Sequence, residues 1–190
     1  MIPEDVTLLV AALPDTTDGD AGALVRRLLA AELGLPAADV PLARLPGGRP
    51  VLTGAHAALG LSVTHTTRLV AVALARGHDV GVDAEERAEV PGATSVARRF
   101  FHPHEHRAFL ALPAHERADA FTRVWTRREA VLKALGVGLA AQRERVEVYV
   151  DARTHDWLVH ADGTAAGWRT VDLTLDGHVG ALALREREDS

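Results

Sequence analysis

The chain has 190 residues, of which 47% are hydrophobic and 25% charged, a composition typical of a globular protein that buries a substantial core. Its formal net charge of −5 argues against nucleic acid as the main partner, because such binding usually needs a basic surface. The sequence lacks cysteine, which excludes disulfides and is compatible with a cytoplasmic location, and no apolar run reaches the ~20 residues of a membrane span.

The first part of the chain predicts a strand, a helix and a connecting loop. The apolar run 6–13 is short enough to be a buried strand, and apolar residues at helical spacing predict a helix over 21–33 that ends at Gly34. Residues 36–50 are typical of a loop. Their double glycine, Gly47-Gly48, would let the backbone approach a ligand closely, although a plain surface turn fits equally well.

Three strands are predicted next, at residues 61–65, 69–74 and 80–85, with a tight connection between the first two. Thr64 and His65 lie at the end of the first of these strands. Side chains at strand ends often face a ligand, so both residues are candidates for a binding site. For His65 a structural or solvent-exposed role remains the alternative.

The third of these strands carries two carboxylates on one face. A period of two places Gly81, Asp83 and Glu85 on the same side. The two carboxylates would repel each other and raise a pKa unless a cation lay between them. Because their ligand atoms are all oxygen, magnesium is the favoured ion. A solvated strand end is the alternative.

Three histidines, His102, His104 and His106, lie around a predicted break at Pro103 in a region that spans 93–112. They resemble a zinc cluster. Their spacing of two in an apparently helical segment would turn them to different faces, however, so we expect no metal site there.

A second helix, from about residue 113 to Gly136, places Trp125, Glu129 and Lys133 along one face at i, i+4 and i+8. An ordinary surface ion pair between Glu129 and Lys133 is the simpler interpretation. However, Lys133 is the only lysine among 21 lysine and arginine residues. A compact ammonium at that one position is compatible with phosphate chemistry.

The last part of the chain predicts strands at 146–150, 156–160, 168–175 and 179–184, with turns at Asp162-Gly163 and Asp176-Gly177. The order of helices and strands indicates an α+β fold rather than an alternating parallel sheet. We therefore predict two halves, 1–90 and 91–190. A site shared by Asp83 and Glu129 would lie between them.

Five short motifs together resemble the Sfp-type 4'-phosphopantetheinyl transferases, in the order of that family and over about residues 22–139. The resemblance implies two similar α+β halves that form a pseudo-dimer with the active site between them. This chain has Arg49 and Arg128 where the family usually has lysine. The motifs are Gly48-Arg49-Pro50, Leu61-Ser62-Val63-Thr64-His65-Thr66, Val80-Gly81-Val82-Asp83-Ala84-Glu85, Arg99-Phe100-Phe101 with Glu105, and Trp125-Thr126-Arg127-Arg128-Glu129-Ala130 ending at Lys133.

The resemblance also implies an activity, the magnesium-dependent transfer of phosphopantetheine from coenzyme A to a serine of an acyl or peptidyl carrier protein. Such carriers serve fatty-acid, polyketide or non-ribosomal peptide synthesis, and adenosine 3',5'-bisphosphate is released. Magnesium on the coenzyme diphosphate would be held by Asp83, Glu85 and Glu129. Either Glu129 or a water held by Asp83 or Glu129 would take the serine proton.

Further roles follow from the same resemblance. Lys133 would neutralise the diphosphate and the leaving phosphate, as phosphoryl transfer requires. Thr64 and His65 would contact the coenzyme phosphates, with His65 also counted among the catalytic groups. Arg44 and Arg49 are candidates for the nucleotide end of the coenzyme.

The enzyme is expected to be a monomer and the carrier to be acidic. Because this chain also has a net negative charge of −5, docking would need a local basic patch. The densest candidate patch, close to Phe109 and Leu112, consists of Arg98, Arg99, Arg107, Arg117, Arg123 and Arg127. Two other functions compete with this interpretation. The chain could be a magnesium-dependent hydrolase of nucleotide diphosphates, or a non-catalytic module that binds coenzyme A or a carrier protein.

Overall fold

The structure is a computed structural model that describes residues 2–13, 21–87, 91–136, 146–148, 157–158, 160–161 and 168–187. Its helices are α1 (Ala21–Leu33), α2 (Ala93–Phe100), α3 (Pro103–Ala111) and α4 (Arg117–Leu135). Its strands are β1 (Val6–Ala12), β2 (Leu42–Arg44), β3 (Pro50–Leu52), β4 (Gly60–His65), β5 (Leu69–Ala75), β6 (His78–Glu86), β7 (Val146–Glu147), β8 (Trp157–Leu158), β9 (His160–Ala161), β10 (Trp168–Leu175) and β11 (His178–Glu186). The predicted α+β class is confirmed.

Two main antiparallel sheets organise the fold. One has the strand order β1-β5-β4, and the other has the order β6-β11-β10-β8. Strand β6 follows β5 directly in the chain, yet it pairs along its length with β11, from His78 opposite Glu186 to Glu86 opposite His178. The proposed division into halves 1–90 and 91–190 stays a prediction, and β6 joins the first segment to the sheet of the second.

Strand β6 also contacts the other sheet. The Ser62 hydroxyl of β4 accepts a hydrogen bond from the backbone N–H of Val82 at 3.0 Å. This hydrogen bond joins a backbone group of β6 to a side chain of β4. The two strands therefore lie next to each other although they belong to different sheets. Residues of β4 and β6 are thereby brought side by side.

Helix α4 packs on β6 through a glycine. A Cβ atom at Gly81 would lie 1.8 Å from the backbone oxygen of Ala130, so only a residue without a side chain allows this approach. On the opposite face of β6, Val80, Val82 and Ala84 are buried in a core formed with β1, β5, β10 and β11. The predicted alternation along β6 is therefore confirmed.

Two predictions for the first part of the chain were wrong in detail. Strand β1 is half-buried, with Val10 42% exposed, because it lies at a sheet edge and has a partner on one side only. The predicted loop 36–50 contains strand β2 and the start of β3, which pair as a small hairpin. Gly47 and Gly48 adopt φ values of 97° and 89° in its turn, a conformation that favours glycine.

The helix predicted over 21–33 has the observed bounds, and strands β4, β5, β10 and β11 confirm four further predictions. Within the strand predicted at 156–160, residues 156 and 159 lie outside the described residues; of the described pieces, β8 pairs with β10 and β9 pairs with β7. The predicted turn Asp162-Gly163 and residues 149–150 of a predicted strand lie outside the described residues. In the described part of the chain, no helix combines the length and the apolarity that crossing a membrane requires.

Candidate active site

The predicted site residues all line one cleft with a volume of about 630 Å³. The β2–β3 hairpin, the end of β4, strand β6, helix α4 and the start of α1 form its walls. The predicted residues brought together in this way are Arg44, Arg49, Thr64, His65, Asp83, Glu85, Glu129 and Lys133. Trp125 also lines the cleft, so the predicted face of α4 is turned towards it.

Asp83 is the most deeply buried charged residue of the cleft, with 4% of its surface exposed. Its Oδ1 accepts hydrogen bonds from Lys133 Nζ at 2.7 Å and from the Thr64 hydroxyl at 3.2 Å. Lys133 Nζ also donates to the backbone oxygen of Val82 at 3.1 Å. Lys133 of α4 therefore forms a salt bridge with Asp83 of β6. This differs from the simpler interpretation, a surface ion pair between Glu129 and Lys133 on the same helix.

The carboxylates of the cleft influence one another. Burial raises the pKa of Glu129 to about 7, and the negative charges of Asp83 and Glu85 act in the same direction, against Lys133 and Arg128. Burial and Asp83 also raise the pKa of Glu85, although Lys133 and a hydrogen bond from Trp125 partly oppose that shift. Negative charge at this point of the cleft is therefore incompletely compensated.

Two carboxylate oxygens of the cleft fit a metal ion. Oδ2 of Asp83 and Oε1 of Glu129 are buried and have no hydrogen-bond partner among the residues that the structure describes. Leaving such atoms unpaired is costly, and a hard divalent cation such as magnesium would satisfy both of them. Oxygen donors of this kind suit magnesium, and Asp83, Glu85 and Glu129 are the carboxylates of the cleft that could supply them.

The opposite end of the cleft is basic. Arg44 Nη1 donates to the backbone oxygen of Gly48 at 2.8 Å, which fixes the side chain along the hairpin turn. The Arg49 guanidinium packs against Gly136, where a Cβ would come within 2.5 Å of Nη1. Gly136 has φ 72° and ends α4, so Arg49 lies at the negative end of that helix.

The other arginines of α4 point away from the cleft. Arg127 is fully buried and binds Asp172 of β10 through two hydrogen bonds of 2.7 and 2.6 Å. Arg128 is buried against Glu105 of α3, with a closest contact of 2.9 Å. Both arginines hold α4 to its neighbours, and this leaves Lys133 as the cation that α4 presents to Asp83.

The predicted docking patch was therefore wrong in part. Arg127 and Phe109 are fully buried. The density of arginines along a sequence does not distinguish the inner from the outer faces of helices. Arg117 donates to the backbone oxygens of Leu110 and Leu112, and Arg123 is paired with Asp119 and Asp172. The exposed members of the predicted set are Arg98, Arg99 and Arg107.

A second cavity of about 550 Å³ adjoins the cleft. His65, Glu85 and Trp125 line both spaces and form the wall between them. The far side of the second cavity is largely apolar, with Val96 and Phe121 among its lining residues. Trp125 stacks on Phe121 with a centroid distance of 5.8 Å, which fixes the wall.

Sequence reasoning missed the roles of Ser62 and Trp125 in the site. Ser62 connects β4 to β6, and the available signal was a small hydroxyl at an otherwise apolar strand position. Trp125 was recognised on the correct helix face but was not assigned to the site. Its interaction with Glu85 depends on how α4 crosses β6, which local spacing does not determine.

Comparisons with known proteins show sequence similarity to one family. The family model described as the 4'-phosphopantetheinyl transferase superfamily matches residues 79–183. The chain is 30% identical to 4'-phosphopantetheinyl transferase HetI of Nostoc sp., over 85% of this chain and 67% of that protein. It is 32% identical to 4'-phosphopantetheinyl transferase AcpT of Salmonella typhimurium, over 68% of this chain and 70% of that protein.

A more distant relative comes from a vertebrate. The chain is 28% identical to the L-aminoadipate-semialdehyde dehydrogenase-phosphopantetheinyl transferase of Xenopus laevis, over 86% of this chain. The match covers 60% of the Xenopus protein, so the chain spans between about three fifths and two thirds of the length of several of these relatives.

Proposed function

The chain belongs to the 4'-phosphopantetheinyl transferase superfamily, and we propose on this basis that it transfers 4'-phosphopantetheine from coenzyme A to a serine of an acyl or peptidyl carrier protein. The observation that carries the proposal is the meeting of Asp83, Glu129 and Lys133 in one cleft, with two buried carboxylate oxygens left unpaired. Charge of both signs around a cleft suits the positioning of a diphosphate.

In the proposed reaction the serine oxygen forms a bond to the phosphorus that carries pantetheine. The bond from that phosphorus to the oxygen of adenosine 3',5'-bisphosphate breaks. Lys133, held by Asp83 and Val82, is positioned to neutralise charge on the leaving phosphate. The serine proton passes to Glu129 or to a water that Glu129 or Asp83 holds.

The proposed cofactor is magnesium, held by Asp83, Glu85 and Glu129. When bound, it would neutralise and orient the diphosphate. The unpaired oxygens of Asp83 and Glu129 support this assignment, because within the described part of the chain neither receives a hydrogen bond. Lys133 already occupies Oδ1 of Asp83, which leaves Oδ2 as the oxygen available to a metal ion.

The coenzyme is proposed to lie along the cleft, with its phosphates near Thr64 and His65 and its nucleotide near Arg44 and Arg49. The distribution of charge supports this direction, because the arginines lie on the hairpin side and the carboxylates on the β6 side. The start of α1 also lines the cleft, where backbone N–H groups of a first helical turn attract anions.

The acceptor is proposed to be an acidic carrier protein that docks through the exposed arginines Arg98, Arg99 and Arg107 of α2 and α3. Arg98 and Arg99 lie on α2, whose Val96 lines the second cavity. We propose that the enzyme acts as a monomer in the cytoplasm, because a single chain supplies all the proposed site residues.

The test is to incubate the protein with magnesium, coenzyme A and an apo carrier protein and to measure the intact mass of the carrier. We expect a gain of one phosphopantetheine group and release of adenosine 3',5'-bisphosphate. A carrier with serine replaced by alanine is the control and should gain no mass.

The same assay separates the alternatives. Cleavage of coenzyme A without a carrier would instead favour a nucleotide-diphosphate hydrolase. Binding of coenzyme A or carrier without any chemical change in either would favour a non-catalytic module. Either result would contradict the proposed transfer.

A further inference from the structure

His102 and His104 meet Glu147 outside the cleft. Nδ1 of His102 lies 3.4 Å and Nδ1 of His104 lies 3.3 Å from Oε1 of Glu147. Potential ligand atoms of these three residues all lie within 4.8 Å of one another. We propose that they form a binding site for a divalent transition metal ion of the zinc class, separate from the proposed magnesium site.

The local backbone explains why the spacing of two does not separate the first two histidines. His102 lies before helix α3 as its N-cap, with an extended backbone of φ −59° and ψ 149°. Its ring therefore turns back towards His104, and the two ring centroids are 5.0 Å apart. The expectation that these histidines lie on different faces was wrong for His102 and His104, because only the second of them is helical.

The distances fit ligands around a shared ion better than direct hydrogen bonds. A tetrahedral zinc site with bonds of about 2.0 to 2.2 Å spaces its ligand atoms about 3.3 to 3.5 Å apart. Both contacts of Glu147 Oε1 lie at that spacing. A good hydrogen bond between imidazole and carboxylate would be shorter, at about 2.7 to 3.0 Å.

The donor set determines the class of metal. Two imidazole nitrogens and one carboxylate favour zinc, copper or nickel, whereas the all-oxygen cleft favours magnesium. Three protein ligands leave a fourth position for water. The His104 side chain is 65% exposed, so an ion can reach the site from solvent.

Local charges are compatible with a cation. The N-terminus of α3 disfavours positive charge, and the Glu147 carboxylate supplies the compensating negative charge. Nδ1 of His102 also accepts a hydrogen bond from the backbone N–H of His104. At 3.4 Å this bond is long, so a metal ion that replaced it would remove little capping.

A metal ion here would link β7 to α3. Glu147 lies between Val146, whose backbone oxygen accepts a hydrogen bond from Arg128, and Val148, whose N–H donates to Glu105 at 2.5 Å. The buried pair of Arg128 and Glu105 already holds these elements together. The proposed site adds an external cross-link to the same junction, so binding should stabilise the folded chain.

The test uses the full chain, treated with a chelator and dialysed against zinc ions in the presence of saturating magnesium. Bound zinc is measured by elemental analysis, and thermal unfolding is followed with and without zinc. The variants are His104→Ala, Glu147→Gln, and His102→Asn, which retains an N-cap side chain. His115→Ala is the matched control, because His115 is 81% exposed and is paired with Glu116. Asp83→Asn tests whether zinc binds in the cleft instead.

We expect the wild type, His115→Ala and Asp83→Asn to bind zinc at this site with equal affinity and to show a higher Tm when zinc is present. The affinity should fall at least about tenfold in each of the three site variants, with loss of the rise in Tm. Unchanged binding by His104→Ala and Glu147→Gln would overturn the proposal. Loss of zinc binding in Asp83→Asn would overturn it too, and would assign the ion to the cleft.

Discussion

Nζ of Lys133 lies 2.7 Å from Oδ1 of Asp83, so the only lysine of the chain is bound to strand β6 across the cleft. A second hydrogen bond, to the backbone oxygen of Val82, fixes the ammonium at this point. The neighbouring arginines 127 and 128 bind carboxylates elsewhere. A compact cation is therefore held where a diphosphate is proposed to react.

Lys133→Arg should lower kcat more than it weakens coenzyme A binding. The guanidinium fork is wider and planar, so it would displace the charge from Asp83 while keeping its sign. We expect a fall in kcat of about tenfold or more, measured by steady-state transfer to the carrier. Arg76→Lys, at an exposed position outside the proposed docking surface, is the control for an arginine–lysine exchange. If Lys133→Arg had the kinetics of the wild type, Lys133 would act only as an ordinary ion-pair partner, and the prediction would be wrong.

Asp83→Asn should abolish transfer while leaving the fold intact. The amide keeps the shape of the side chain but loses the charge that pairs with Lys133 and that would hold magnesium. We expect activity to fall by about a hundredfold or more, with circular dichroism unchanged. Activity of the wild type should also require magnesium and should be lost in EDTA. Full turnover by Asp83→Asn in EDTA would contradict the proposal that Asp83 holds magnesium.

Glu129 should make the metal-free protein less stable as the pH rises. Its pKa is raised from 4.5 to about 7, so the folded state resists ionisation that the unfolded chain undergoes freely. The stabilisation is fully present below about pH 4.5 and is lost as the pH rises through 7. After allowance for partial exposure, we expect a loss of about 1 to 2 kcal/mol in the free energy of unfolding.

Chemical denaturation in EDTA at a series of pH values measures this effect. Glu129→Gln should be less sensitive to pH over this range than the wild type, because glutamine does not ionise. Glu116→Gln, at an exposed position, should keep the wild-type pH dependence. Identical pH profiles for wild type and Glu129→Gln would contradict the prediction.

Gly81→Ala should destabilise the protein strongly. The new methyl group would lie 1.8 Å from the oxygen of Ala130, so α4 would have to move away from β6. We expect a loss of about 3 kcal/mol, measured by denaturant unfolding. The same movement would separate Glu129 from Asp83, so activity should fall as well. Thr174→Ala, at an exposed position of β10, is the control for a small change in a strand.

Charge reversal should weaken carrier binding at exposed arginines but lower protein stability at arginines that are paired within the protein. The double variant Arg98→Glu and Arg107→Glu should raise the KM for an acidic carrier and weaken its dependence on salt, with little change for coenzyme A. Arg123→Glu should instead lower thermal stability, because it would place a third negative charge beside Asp119 and Asp172. Equal effects on the KM values of both substrates would contradict docking at Arg98 and Arg107.

Local patterns predicted much of the fold. Helix α1 was predictable because its apolar spacing and Gly34 coincide, and the alternation along β6 correctly separated Asp83 from Val82. Pairing was not predictable from such patterns. Nothing in the sequence of β6 shows that it leaves β5 for β11, because any apolar strand offers the same backbone groups.

The residues that line the cleft were predictable from the sequence, but their contacts were not. The motifs named the residues that line the cleft, whereas the salt bridge from Lys133 to Asp83 depends on how closely α4 crosses Gly81. The same limit applies to Arg127, which adjoins Arg128 in sequence but binds a carboxylate on a different element. Which way a buried arginine points depends on partners that are distant in the chain.

The wall formed by His65, Glu85 and Trp125 has a consequence for the kinetic order of the proposed reaction. Because the cleft and the second cavity share these three side chains but have otherwise different lining residues, we expect donor and acceptor to occupy the protein together. A phosphopantetheinyl group would then pass directly between substrates within a ternary complex. Double-reciprocal plots at several carrier concentrations should intersect, in contrast to the parallel lines of a ping-pong enzyme that carries the group covalently.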